Sequence, residues 1–302
     1  MTRNVRVVGV PMDLGADRRG VDMGPSAIRY AGLASAVEQT DRECVDGGDL
    51  VVPQPETMSP KGRPEHGKAK YLGETRTVCT SLADSVADTL DAGEFPLVLG
   101  GDHSIAIGTV NGASRDADVG VVWFDAHGDF NTPATSPSGN VHGMSLAALL
   151  GVGEFADADW ATAAVDPENV ALVGVRDLDR EERVAIRESP VTVYTMSDVD
   201  DRGLPEVAEE ALAIANDGTD GVHVSLDMDF LDPNEAPGVG TPVRGGVTYR
   251  EAHAAMERVA DLGDDVRTME VVEVNPILDS HNGTAELAVE LLASALGKRI
   301  LR

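Results

Sequence analysis

Apolar residues along this chain fall in short dense runs separated by longer stretches at helical spacing. The runs "VRVVGV" (5–10), "FPLVLGG" (95–101), "VGVVWF" (119–124), "NVALVGV" (169–175), "VTVY" (191–194), "GVHVSL" (221–226) and "VRTMEVVEV" (266–274) predict strands, being short and rich in β-branched residues. Between them the spacing predicts helices. One covers 25–38, with Pro25 in its first turn. A long one runs over about 67–92, and another starts at Ser104. "MSLAALL" (144–150) is a short one, and the last covers 284–298. Loops rich in Pro, Gly, Ser or Asn are expected at about 51–66 and 128–140. Alternating β and α with apolar strands argues for a parallel sheet covered by helices on both faces. No internal repeat, low-complexity linker or composition shift divides the chain, so one domain over 1–302 is expected.

Composition narrows the function. The 302 residues are 42% hydrophobic, enough for a large core. The formal net charge is −28, and only four of the 24 basic residues are Lys: Lys61, Lys68, Lys70 and Lys298. Such a field repels phosphate backbones and anionic lipid, so neither nucleic acid nor a membrane is an expected partner. The charge is spread along the chain and reads as a solvated acidic surface. With so little Lys, it suggests a cell of high internal salt, where self-repulsion is screened. Cys44 and Cys79 are too few and too far apart in sequence for a disulfide framework or a thiolate zinc site. The N-terminal stretch reaches Asp13 before any apolar run could act as a signal peptide, and no run of about 18 apolar residues occurs. A cytoplasmic location is expected.

The chemistry gathers where the strands end. Ligands of open parallel sheets sit beyond the carboxyl ends of the strands. Asp102 and His103 follow one strand; Asp125, His127 and Asp129 follow a second; Asp227 and Asp229 follow a third; Glu273 closes a fourth. In extended backbone, residues i and i+2 point to one side, so Asp125, His127 and Asp129 are expected to converge, as are Asp227 and Asp229. Four carboxylates in one pocket repel unless protonated or neutralised by cations. Six oxygen and nitrogen donors exceed one tetrahedral zinc and suit two divalent ions with bridging carboxylates. Oxygen with imidazole and no thiolate favours Mn²⁺, with Co²⁺ or Zn²⁺ able to compete. Two such ions about 3.5–4 Å apart clamp a water and lower its pKa. Each piece also has a plainer reading. A lone Asp after a strand serves as a helix N-cap or turn residue, and Asp102 fits that role. His223 reads as a core or face residue, and His66, His253 and His281 as surface. Three separate strands ending in such clusters at one edge are hard to obtain by chance. Phosphate-loop, dinucleotide and nucleophile-elbow spacings are absent from the sequence.

With these residues laid out, the sequence resembles the ureohydrolase family, and its arginase branch most closely. The resemblance covers nearly the whole chain. It is carried by "GVPMDLGADRRGVDMGPSAIRYAGL" (9–33), "GGDHS", "DAHGDFNTPATSPSGNVHGM", "SLDMDFLDP", "GTPVRGGVTYRE" and "MEVVEVNP", in the family's order. The metal motifs are common to ureohydrolases; the loop "NTPATSPSGNVHG" (131–143) is the more specific part. The resemblance implies a three-layer αβα fold with a mostly parallel sheet of about eight strands. It also implies two Mn²⁺ per subunit, one held by His103, Asp125, Asp129 and Asp227, the other by His127, Asp125, Asp227 and Asp229. A hydroxide bridging them would attack the guanidinium carbon of L-arginine, giving L-ornithine and urea. By the same resemblance Asp129 moves a proton to the leaving amine, Glu273 anchors the guanidinium, and His142 shuttles protons. Asn131, Ser136 and Ser138 would read the α-carboxylate, with Asn140 assisting through water. Asp179 and Glu182 would bind the α-ammonium, and Thr241 would line the pocket. Homotrimers or homohexamers are implied as well. Without the resemblance, Asn131 and Ser138 read as plain turn residues. The alternatives are agmatine or another guanidino compound as substrate, a one-zinc deacetylase-like protein of the same broad fold, and a silent metal-binding protein. Retention of Asp129, His142 and Glu273 beside the ligands argues against the last.

Overall fold

The computed structural model describes residues 3–16, 20–54 and 69–299. Its eight strands are β1 (Val5–Val10), β2 (Cys44–Asp49), β3 (Phe95–Gly100), β4 (Val119–Phe124), β5 (Val170–Val175), β6 (Thr192–Thr195), β7 (Gly221–Asp227) and β8 (Val266–Val272). They form one sheet in the order β2-β1-β3-β8-β7-β4-β5-β6. Every neighbouring pair is parallel. The expected parallel eight-stranded sheet is therefore what the chain forms. Ten α-helices are described: α1 (Gly24–Tyr30), α2 (Leu33–Glu38), α3 (Leu72–Asp91), α4 (Ala106–Ala113), α5 (Ser145–Leu149), α6 (Arg180–Glu188), α7 (Met196–Arg202), α8 (Leu204–Ala215), α9 (Tyr249–Asp261) and α10 (Gly283–Ala295).

Strand alternation sorts the core into two layers. Val5 and Val7, Leu97 and Leu99, Val122 and Phe124, Val224 and Leu226, and Met269 and Val271 share one cluster with residues of α1, α2, α7, α8, α9 and α10. The intervening positions, among them Val8, Val98, Val121, Trp123 and Leu172, pack with residues of α3, α4, α5 and α6. That gives the three layers. Burying a side chain such as Leu226 or Phe124 completely contributes roughly 1.5–3 kcal/mol each. Among the described residues no helix is long and apolar enough to cross a membrane.

Four expectations change. The helix over 25–38 is two helices, because Gly32 between them takes a left-handed φ of 92°. Strand β2 was not foreseen. The strand over 266–274 stops at Val272, because Glu273 takes φ 64°. His253 is buried rather than surface, with Nδ1 2.8 Å from the Ser294 hydroxyl on α10. His281 is exposed and His223 lies in the core, as expected. Residues 55–66 of the expected loop, His66 included, lie outside the described residues, and so does the start of the helix expected from 67.

Candidate metal centre and pocket

Strands β3, β8, β7 and β4 are neighbours at the centre of the sheet, so their carboxyl ends deliver the candidate residues to one place. Three strands end in the same device: an Asp whose side chain accepts from the backbone N–H two residues on. Asp102 accepts from Ser104 N (3.0 Å), Asp125 from His127 N (2.6 Å) and Asp227 from Asp229 N (2.8 Å). Asp102 is spent in this way, since its other oxygen takes Gly15 N at 2.8 Å; it is the N-cap the sequence suggested. Asp227 uses Oδ1 for the turn and presents Oδ2 to the centre; Asp125 makes the turn with Oδ1 and faces the centre with both oxygens.

His103 stands in the middle. Its Nδ1 lies 3.1 Å from Asp125 Oδ2, 3.0 Å from Asp129 Oδ2 and 3.2 Å from Asp227 Oδ2. His127 Nδ1 lies 3.0 Å from Asp229 Oδ2 and 3.4 Å from Asp125 Oδ1. Two sets of donors result, His103–Asp125–Asp129 and Asp125–His127–Asp229, each with ligand atoms within 4.8 Å of one another. They share Asp125, which turns one oxygen to each imidazole, while Asp227 adds Oδ2 to the first set. His103 Nδ1 and Asp129 Oδ2 are buried without a hydrogen-bond partner. Burial and the neighbouring carboxylates push Asp227 well above the usual range and Asp129 up to about 6. Asp125 is also buried, but the two imidazoles hold it well below that range. Such a cluster takes up protons or cations. Buried orphan donors, hard oxygens and two imidazoles fit a pair of divalent ions.

Asp129 and Glu273 carry backbone strain. Their φ values are 49° and 64°, a region non-glycine residues seldom occupy. Surrounding bonds hold them there. The Asp129 carbonyl accepts from Leu146 N and Ala147 N at the start of α5, and Glu273 N donates to Gly101 O. Glu273 is buried below the pocket. Its Oε1 accepts from His103 N (3.1 Å) and faces His142 Nδ1 (3.0 Å), while Oε2 has no partner. Burial disfavours charge on His142, yet the Glu273 carboxylate prevails and pushes the imidazole up to about 9. Glu273 is correspondingly lowered, against the effect of its own burial.

A partly open pocket lies above these groups. His103, His127, Asp129, His142, Asp227 and Asp229 form its floor. Asn131, Ser136, Ser138, Asp179, Glu182 and Thr241 also line it. Asn140 is not on its wall; its Oδ1 accepts from Lys70 Nζ at 2.9 Å. The rim residues bond mainly to one another. Asn131 Nδ2 donates to Asp179 Oδ2 (2.9 Å), Gly139 N to Ser136 Oγ (3.0 Å) and Asn140 N to Ser138 Oγ (3.1 Å). The turn reading of this loop and the binding reading thus hold together. Thr241 Oγ1 donates to Asp229 Oδ2 at 3.1 Å, so it touches the donor cluster as well as the pocket.

A family model described as the arginase family matches residues 3–297. The chain belongs to the arginase family. An arginase of Brevibacillus brevis is 51% identical over 304 residues, with 100% of both chains covered. An arginase of Bacillus caldovelox is 49% identical over 300 residues, covering 98% of this chain and 99% of its own. The native structure at pH 5.6 of arginase from Bacillus caldovelox superposes with a TM-score of 0.93 at 47% identity, over 99% of this chain and 100% of that one. The organisms of these arginases lend nothing to the expectation of a high-salt cell.

The arginase-family site includes residues that sequence reasoning passed over. Trp123 donates Nε1–H to Asp125 Oδ2 (2.9 Å) and stacks on His103 with ring centres 4.1 Å apart. Arg176 spends its guanidinium on the carbonyls of Gly174, Asp229, Phe230, Leu231 and Val243, tying the Asp229 turn to the loop that carries Thr241. Trp123 could have been noticed from its place two residues before Asp125. Nothing local marks Arg176, whose partners other than Gly174 lie some 50 to 70 residues away.

Proposed function

We propose that this chain, as one domain over 1–302, hydrolyses the guanidinium group of L-arginine to L-ornithine and urea with two manganese ions. The observation that carries the reading is the pair of donor sets sharing Asp125 at the floor of a pocket whose rim offers amide, hydroxyl and carboxylate groups. His103, Asp125, Asp129 and Asp227 would hold one ion; His127, Asp125, Asp227 and Asp229 would hold the other. When bound, the ions supply Lewis-acid activation of water.

The side chains do the rest. Glu273 Oε2, buried and unpartnered, offers a charge-assisted hydrogen bond to the guanidinium. Asp129, at the pocket floor beside the donor cluster, is placed to take the proton given up by the attacking water and pass it to the leaving amine. The C–N bond then breaks, releasing urea and the ornithine side-chain amine. His142, held by Glu273 and lining the pocket, is placed to relay protons between the pocket and solvent. Asn131, Ser136 and Ser138 read the α-carboxylate with neutral donors, with Asn140 assisting through water, and Asp179 faces the α-ammonium. Glu182 already accepts from two backbone N–H groups, which makes it first a support for Asp179. A cytoplasmic location and a trimeric or hexameric assembly complete the reading; light scattering on the eluting protein measures the assembly.

The deciding experiment measures urea released from L-arginine and from agmatine, side by side, with protein preloaded with Mn²⁺ in low and in molar KCl. Urea from arginine alone is expected. Urea from agmatine alone would overturn the roles of Asn131 and Ser138 while keeping the metal chemistry. Silence on both substrates with metal bound would favour a binding protein.

A further inference from the structure

Strands covered on both faces should be apolar throughout, yet β7 and β8 carry polar residues at alternate positions. His223 and Ser225 of β7 pair in register with Thr268 and Glu270 of β8, and all four are fully buried. They occupy the α4 side of the sheet, where Thr109 of α4 donates its hydroxyl to Glu270 Oε2 at 2.5 Å. Ser225 Oγ donates to Glu270 Oε1 at 2.8 Å. His103 Nε2 lies 2.7 Å from the same Ser225 oxygen. His223 completes the group, with Nδ1 2.8 Å from Thr268 Oγ1 and Nε2 3.4 Å from Glu270 Oε1.

The proton positions follow from the donor and acceptor inventory. An ionised Glu270 only accepts, so the Ser225 hydroxyl proton points to it. The Ser225 oxygen is then left to accept from His103 Nε2–H. A neutral His103 held in this way keeps its lone pair on Nδ1, the atom that faces Asp125, Asp129 and Asp227. We propose that Ser225 and Glu270 are positioning residues for the metal centre: the buried chain from Glu270 through Ser225 fixes the ring orientation and tautomer of His103. No comparable chain stands behind His127 among the described residues, and its side chain is 25% exposed. The support is therefore specific to one of the two ions.

The inference rests on the two-ion reading above. It is tested by titrating the metal-stripped full chain with Mn²⁺, counting bound ions by equilibrium dialysis and free Mn²⁺ by paramagnetic resonance. Wild type is expected to take two ions. Ser225→Ala should weaken one binding step roughly 10–100-fold and leave the other unchanged. Glu270→Gln, nearly isosteric, should weaken the same step and covers the case in which the Ala variant does not fold. General damage to the core would lower both steps together, so equal weakening of both ions would overturn the inference. Two unchanged steps would overturn it as well, leaving the two-ion reading intact. A wild type that takes up no Mn²⁺ would remove both.

Discussion

Replacing Glu182 with Gln separates charge from shape at a buried carboxylate of the pocket wall that already has its hydrogen bonds. The residue is 4% exposed. Its Oε1 accepts from Phe130 N at 2.9 Å, and its Oε2 from Asp179 N at 3.0 Å. It thus joins the loop after Asp129 to the start of α6. Burial is the largest influence on it. Opposed by those two N–H groups and reinforced by Asp129 and Asp179, burial pushes its pKa from 4.5 up to about 7. Between those values the folded protein keeps a proton that the unfolded chain has released. Its stabilising share is therefore complete below about pH 4.5 and is lost as pH rises through about 7. At about 1.36 kcal/mol per pKa unit the loss is on the order of 3 kcal/mol. Gln carries no charge and has no such loss. The assay is denaturant unfolding of the metal-stripped wild type and Glu182→Gln at pH 5 and pH 8 in the same salt. An amide that sets its NH₂ against one backbone N–H lowers the variant by a constant amount, so the informative quantity is the change in the gap. The gap should move in favour of Gln by on the order of 3 kcal/mol between the two pH values. A gap that stays constant, or moves the other way, would refute the reasoning.

Asp129→Asn removes a donor of the His103 set and, on the proposed mechanism, the proton carrier, so it should abolish urea release and weaken uptake of one Mn²⁺; near-normal turnover would take Asp129 out of the mechanism. Asn131→Ala should raise KM for arginine far more than for agmatine, which lacks the carboxylate. Equal changes on both substrates would move carboxylate reading elsewhere on the rim.

The sheet was largely legible, because seven strands are short apolar runs, six of them almost wholly buried and the edge strand β6 half-buried. Strand β2 was not. "CVDGGD" has one β-branched residue and two glycines, and it lies at the sheet edge, half-buried to exposed. It is a strand because β1 offers it a parallel partner, Val5 opposite Cys44 and Val7 opposite Asp46. That pairing joins residues some 40 positions apart, and no local pattern announces it. Helix α1 stops for a local reason that was visible: Gly32 lies inside a helical pattern, and its φ of 92° shows why the pattern breaks there.

The site was legible in its residue types, but the geometric reason given for it was incomplete. Asp125, His127 and Asp129 were expected to converge because alternate residues of an extended chain share a side. Beyond Phe124 the chain is not extended. Asp125 folds it back through His127 N, and Asp129 enters the left-handed region at φ 49°. Convergence is produced by turns, which the same carboxylates build. Asking whether Asp125 and Asp227 are turn residues or candidate metal donors therefore poses a false choice: Asp227 turns with one oxygen and faces His103 with the other, and Asp125 Oδ1 makes the turn while still facing His127. The polar pairs His223–Thr268 and Ser225–Glu270 show the opposite case. Their alternation stood in plain view within strands that a doubly covered sheet keeps apolar, and it marked the layer beneath His103. A search for acids and imidazoles only beyond strand ends misses that layer, because its residues lie inside the strands and reach the site through a serine.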